Sequence, residues 1–189
     1  MKNYYQDKTI KDTNFKDNTI AREYDSCNFI NCNFSKADMT GVVITHCLFE
    51  NCNLSSANIN NVSFQQVVFK SCKMLGLQFD ECNGLGLTVS FVKCVLDHSS
   101  FYQTNISETT FIGCQLKQVD FSYADLTESV FDLCDLSSAV FDRTNLSKSN
   151  LITAIHFSID PTKNNITKAK FSSTNIRGLL DCFGIEIES

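Results

Sequence analysis

The chain has 189 residues with one Pro, seven Gly, no Trp, sixteen Phe and ten Cys, and a formal net charge of −5. That length suits one domain with a buried core; the polar Met1-Lys2-Asn3-Tyr4-Tyr5 start lacks the apolar core of a leader, and no run approaches a membrane span, so a soluble, cytoplasmic protein is expected. Ten cysteines would suit a disulfide scaffold in a secreted chain, a reading that weakens without a leader, and the scattered lysines disfavour direct nucleic-acid binding.

Residues 1–23 place Ile10, Phe15 and Ile20 five apart, with charges that nearly balance, and are expected to form an N-terminal capping coil. From residue 24 to 155 a bulky apolar residue recurs at every fifth position. Phe29, Phe34, Met39, Ile44, Phe49, Leu54, Ile59, Phe64, Phe69, Met74 and Phe79 hold one phase. Phe91, Leu96, Phe101, Ile106, Phe111, Leu116, Phe121, Leu126, Phe131, Leu136, Phe141, Leu146 and Leu151 hold a second, displaced by two residues. Small or thiol-bearing residues such as Cys27, Cys32, Ala37, Val42, Cys94 and Ser99 sit two positions before the anchors.

A helix needs a period near 3.6 and a simple strand a period of 2, so a period of five means a short extended segment followed by a corner. Such a unit cannot bury its own apolar side chain, and successive units must coil and stack. Five cysteine pairs in the array lie 20 apart (27/47, 32/52, 52/72, 94/114, 114/134) and only one lies 15 apart (32/47), which sets four faces per coil. The phase shift then becomes a two-residue bulge near 84–87, in Gly84-Leu85-Gly86-Leu87, that leaves the columns Cys32–Cys134 and Phe29–Phe131 intact. About eight coils at the ordinary strand spacing give a rod of roughly 40 Å.

Residues 156–189 are expected to form a last partial coil and a C-terminal dimerisation cap. The pattern fails at His156-Phe157-Ser158, Asp160-Pro161 reads as a loop, and Ile166, Phe171 and Ile176 resume the second phase. Arg177 to Gly184 resembles a short helical turn closed by Gly, and Ile185-Glu186-Ile187-Glu188 alternates like an edge strand. Leu179, Leu180, Phe183, Ile185 and Ile187 are too apolar for an open rod end, and a second copy of the chain is the expected cover.

The unit resembles that of the pentapeptide-repeat proteins, written A(D/N)LXX, in copies such as Ala37-Asp38-Met39, Ala57-Asn58-Ile59 and Ala124-Asp125-Leu126. This resemblance implies an all-β, right-handed quadrilateral β-helix. The Cys-rich repeats, Ile159-Asp160-Pro161, Lys168-Ala169-Lys170-Phe171-Ser172 and Gly178-Leu179-Leu180 are similar to the Qnr-type group. Membership there implies a DNA-mimicking homodimer, joined at its C-terminal ends, that acts on DNA gyrase and topoisomerase IV and relieves fluoroquinolone poisoning. Several members of that group carry long projecting loops, where this chain has only the bulge at 84–87.

Unwrapping residues 28–153 into four faces sorts the charges. The two faces anchored by the Met39 and Ile44 columns carry Asp38, Asp80, Glu81, Glu108, Asp120, Asp125, Glu128 and Asp142 against Arg143 and Lys148, a net of −6. The Phe29 and Phe34 faces carry four carboxylates against five lysines, a net of +1. An acidic strip suits a basic groove built for phosphates, although outer positions of a solenoid can also be acidic simply because they are solvated. The Phe29 face has outward Ile30, Leu48, Val68, Val92, Ile112, Val130, Leu133 and Ile152, which suits either a contact surface or a flat strand stack. The cysteine columns are expected to be core, with no cofactor and no metal, and Cys182 to be a free thiol near the dimer seam. His46, His98 and His156 converge with no nucleophile, so no catalytic residue is expected. The expected function is topoisomerase modulation. The alternatives are immunity against a gyrase-directed peptide toxin and a scaffold solenoid with another protein partner.

Overall fold

In a computed structural model that describes residues 3–16 and 20–186, the five-residue period becomes a strand-and-corner rhythm. Among these residues the short strands are β1 (Tyr4–Gln6), β2 (Thr9–Lys11), β3 (Glu23–Asp25), β4 (Asn28–Ile30), β5 (Val43–Thr45), β6 (Leu48–Glu50), β7 (Ser63–Gln65), β8 (Val67–Lys70), β9 (Val89–Val92), β10 (Thr110–Ile112) and β11 (Val130–Asp132). All pair in parallel, as β1-β3-β5-β7 on one side and β2-β4-β6-β8-β9-β10-β11 on the adjacent side. The remaining two sides are held by isolated parallel bridges, such as Asn33↔Asn53↔Lys73↔Val95 and Ser100↔Asp120↔Val140. The architecture is the all-β four-sided solenoid that the period implies, the right-handed β-helix that the family resemblance implies.

Register follows the anchors. Phe29 pairs with Phe49 and Phe49 with Phe69 at 20-residue steps, Phe69 with Phe91 at 22, then Phe111 and Phe131 at 20 again. The two extra residues therefore loop out at the corner, with Leu85 82% exposed at the tip, while both neighbouring columns continue. At the N-terminal end Tyr5 pairs with Tyr24 and Ile10 with Phe29, steps of only 19. The separate phase of Ile10 and Phe15 is thus a one-residue shortening within a coil that is in register with the array.

The core is a stack of aromatic rings. Phe29, Phe49, Phe69, Phe91, Phe111 and Phe131 stack with centroids 4.5 to 5.5 Å apart, and Phe79, Phe101, Phe121 and Phe141 form a second column meeting the first edge to face. Cysteines fill the narrow positions two residues before the anchors. Each column thiol donates to the carbonyl two residues back and to one in the preceding coil, as Cys114 does to Ile112 and Phe91, both at 3.5 Å. All ten cysteines are free.

Nearly every corner places one residue in the left-handed region. Among the described residues twenty-four other than glycine take φ between 50° and 62°, nearly all at the second position after an anchor, from Asn31 and Lys36 to Arg143 and Lys148. L-residues accept this at a cost of roughly 1–2 kcal/mol each unless local bonds offset it. An Asn or Asp just before the anchor helps: its side-chain oxygen accepts the amide two residues on, at 3.0 Å for Asn33 and Ser35 and again for Asn53 and Ser55.

The C-terminal segment departs from the five-residue pattern. His156 occupies the anchor position but takes φ 60° and points outward, and Phe157 turns in behind it, 4% exposed. Ile166 and Phe171 resume the stack, through Asn145↔Asn165 and Asn150↔Lys170, whereas Ile176 is 47% exposed at the start of a 3-10 turn, Ile176–Leu179. A second turn, Asp181–Phe183, is closed by Gly184 at φ 59°. Ile185 and Glu186 carry no strand, contrary to the alternating pattern, because no neighbouring backbone lies in register to pair with them. Ile187 and Glu188 lie outside the described residues.

Candidate partner-binding surface

Three of the strip carboxylates, Asp38, Asp120 and Asp125, stand directly before an anchor and act as corner residues. Their Oδ1 atoms accept the amides of Thr40 (3.1 Å), Ser122 (2.8 Å) and Thr127 (3.0 Å). Asn58, Asn105 and Asn145 make the same bond at equivalent positions, to Asn60, Ser107 and Ser147. The corner needs an oxygen acceptor and not a charge, so nothing in the fold demands Asp over Asn at these three places. The hydroxyl and amide of Thr40 hold the Asp38 carboxyl below its usual range, which keeps it ionised.

The other five, Asp80, Glu81, Glu108, Glu128 and Asp142, lie one or two positions after an anchor, where side chains project outward; all but Asp142 are exposed. Glu108 and Glu128 are stacked one coil apart, a like-charge pair that costs stability in a parallel ladder. Lys148 relieves Glu128 at 2.6 Å. Among the described residues the other seven strip carboxylates form no ion pair.

On the opposite sides two of the four carboxylates are paired with lysines. Lys70 meets Glu50 one coil away at 2.7 Å, and Lys117 reaches Asp135 at 3.3 Å, with His156 on the same carboxylate at 2.9 Å. Burial opposes ionisation of Asp135, but the bonds from Ser137, His156 and Lys117 outweigh it and hold the carboxyl well below the ordinary range. Asp132 accepts the Thr153 hydroxyl at 2.7 Å. From the level of Asp38 to that of Asp142 there are five coil steps, about 24 Å at the ordinary strand spacing. Eight carboxylates over that length average one per about 3 Å, close to the roughly 3.4 Å phosphate spacing of one DNA strand.

The residues assigned to a dimer seam do not all face outward. Leu179 packs against the end of the chain's own core and Leu180 is half-buried, whereas Phe183 and Ile185 are 53% and 55% exposed; Ile187 lies outside the described residues. On the Phe29 face Val68, Leu133 and Ile152 are exposed, Leu133 the most at 67%, and Ile30, Leu48, Val92, Ile112 and Val130 are half-buried.

Sorting by charge alone passes over an aromatic feature within the acidic side. Tyr102 and Tyr123, 39% and 40% exposed, meet edge to face with centroids 5.6 Å apart. The Arg143 guanidinium lies 5.3 Å from the Tyr123 ring centre and donates to its hydroxyl at 2.8 Å, and the Gln103 amide donates to the Tyr102 hydroxyl at 3.2 Å. The signal was present in the sequence as two large aromatics at the outward positions after the anchors Phe101 and Phe121.

Known proteins support the same architecture. The family model described as "Pentapeptide repeat region" matches residues 87–180, and the one described as "Pentapeptide repeats (8 copies)" matches 25–46 and 47–83. A trypsin-treated variant of QnrB1, described as a plasmid-mediated fluoroquinolone resistance protein, is similar with a TM-score of 0.65 and 16% identity over 98% of this chain and 97% of that one. A second trypsin-treated variant gives 0.64 and 16% over 98% and 99%, and full-length QnrB1 0.57 and 16% over 96% and 100%. At that identity the likeness is one of fold. No curated protein matches the sequence.

Proposed function

Because the chain belongs to the pentapeptide-repeat family, and one side of its rod is acidic, we propose that it is a non-enzymatic DNA mimic that occupies a basic, DNA-binding groove. The partner we infer is DNA gyrase or topoisomerase IV in the cytoplasm, and the consequence is protection against fluoroquinolones. The observation that carries this reading is the segregation of unpaired charge. Seven strip carboxylates stand without a cation on two adjacent sides, while on the opposite sides Glu50 and Asp135 are paired. The attraction between strip carboxylates and a groove lined by Lys and Arg offsets the cost of desolvating both, and its long range speeds the encounter. The fold likeness to QnrB1 over nearly the whole of both chains fits the same reading.

In this proposal two copies join at their C-terminal ends through Phe183 and Ile185, with Leu180 beside them, extending the acidic side across both. A Phe183→Asp variant that still sediments as the wild-type species would exclude that seam.

The decisive experiment is gyrase supercoiling and drug-stimulated cleavage with added protein, wild type against the triple variant Asp38→Asn, Asp120→Asn, Asp125→Asn. Since Asn satisfies the same corners, the triple variant should keep its fold and lose effect on the enzyme. If micromolar wild-type protein changes neither reaction, the topoisomerase reading fails. Immunity against a gyrase-directed peptide toxin would act through the same surface and is separated by toxin challenge. The scaffold alternative is favoured by one observation, the exposed Leu133 at φ 52° on the Phe29 face, and predicts that Leu133→Ser, not the acidic variants, abolishes partner binding.

A further inference from the structure

We propose that Tyr102 and Tyr123 form a seat for an arginine side chain of the basic partner; the inference rests on the reading of the acidic side as a surface for such a partner. Tyr123 takes φ 59° at a corner where the equivalent residues are Gly41, Asn61, Gln103 and Arg143, so an aromatic ring stands where the other coils carry glycine or a polar side chain. Both rings remain well exposed although neither contributes to the core. An exposed aromatic pair among carboxylates is suited to a cation that also has a flat face.

The molecule already contains one such guanidinium. Arg143 sits over Tyr123 within the range of a cation–π contact and bonds its hydroxyl. Asp80 lies one coil below Tyr102 in register, through Gln78↔Ser100, and Asp120 and Asp142 lie in the next two coils above. An incoming guanidinium could stack on the open Tyr102 ring and use its in-plane N–H groups on these carboxylates, a combination that an ammonium cannot match. Arg143 then competes for the Tyr123 half of the seat, and its removal should help an incoming arginine.

The test is isothermal titration of the full chain, at low salt, with decaarginine and with decalysine. Wild type should bind decaarginine at least about threefold more tightly, the scale of an exposed cation–π contact. Tyr102→Ala with Tyr123→Ala should erase that preference and leave decalysine within about twofold, whereas the corresponding Phe pair should keep it, since the ring faces remain. Arg143→Ala should tighten decaarginine. Equal binding of the two peptides by wild type, a preference surviving the double Ala variant, or weaker decaarginine binding by Arg143→Ala overturns the seat and leaves the acidic-side reading standing. If neither peptide binds wild type, the acidic-side reading fails and the seat with it.

Discussion

Asp135 shows how one side chain serves several ends. It closes its own corner on Ser137, pairs with Lys117, and bonds His156 in the coil above. Its carboxyl titrates below the ordinary value in the folded protein, so it adds stability that is fully present above the unfolded pKa of about 3.9 and is lost as pH falls from there toward the folded value. Asp135→Asn keeps the corner and removes the charge. The variant should melt lower than wild type at pH 7, and the gap should narrow as pH drops below about 4, followed by circular dichroism. The cysteines give a second residue-scale expectation. Burial pushes the Cys47 thiol up to about 11 and the Cys82 thiol to about 12, and the column thiols are covered. Only Cys182, exposed in the last turn, should react quickly with Ellman's reagent in native protein, against ten thiols in denaturant.

At the scale of the coil, each ring is shared between levels. Phe111 is fully buried, stacked on Phe91 at 5.1 Å and Phe131 at 5.0 Å and flanked by Phe101 and Phe121. Phe111→Ala should cost about 3–5 kcal/mol in denaturant unfolding, because rigid rings above and below cannot collapse into the space. Gly178 marks a different constraint. A Cβ there would stand 2.2 Å from the Phe157 carbonyl oxygen and 2.6 Å from its ring, so Gly178→Ala should detach the C-terminal turns while the coils persist. Limited proteolysis should then cut near residues 170–180 and leave a stable core. The sequence made the coil legible because the anchors Phe29 to Leu151 are both the pattern and the core. It did not reveal that Phe157 replaces His156, since a one-residue slip depends on a backbone angle and not on residue type. Nor did five-residue counting show that Ile10 and Phe15 belong to the same columns as Phe29 and Phe34, because the one-residue shortening falls between Phe15 and Tyr24 and shifts the phase of everything before it.

For the whole molecule, the charge map was legible once four faces were set, and the structure adds which charges are already spent. Glu128 is paired, Glu50 and Asp135 are paired on the other side, and seven strip carboxylates remain open. What the pattern could not show was the chemistry between the charges, in which Tyr102, Tyr123 and Arg143 come together only because residues 20 apart are neighbours. That same 20-residue neighbourhood bears on how the molecule is made. Nearly every bridge joins one coil to the next, and none of the paired strands ties the first coil to the last. The chain can therefore acquire structure by linear growth, each new coil templated on the exposed edge of the one before it, starting while the C-terminal residues are still inside the ribosome.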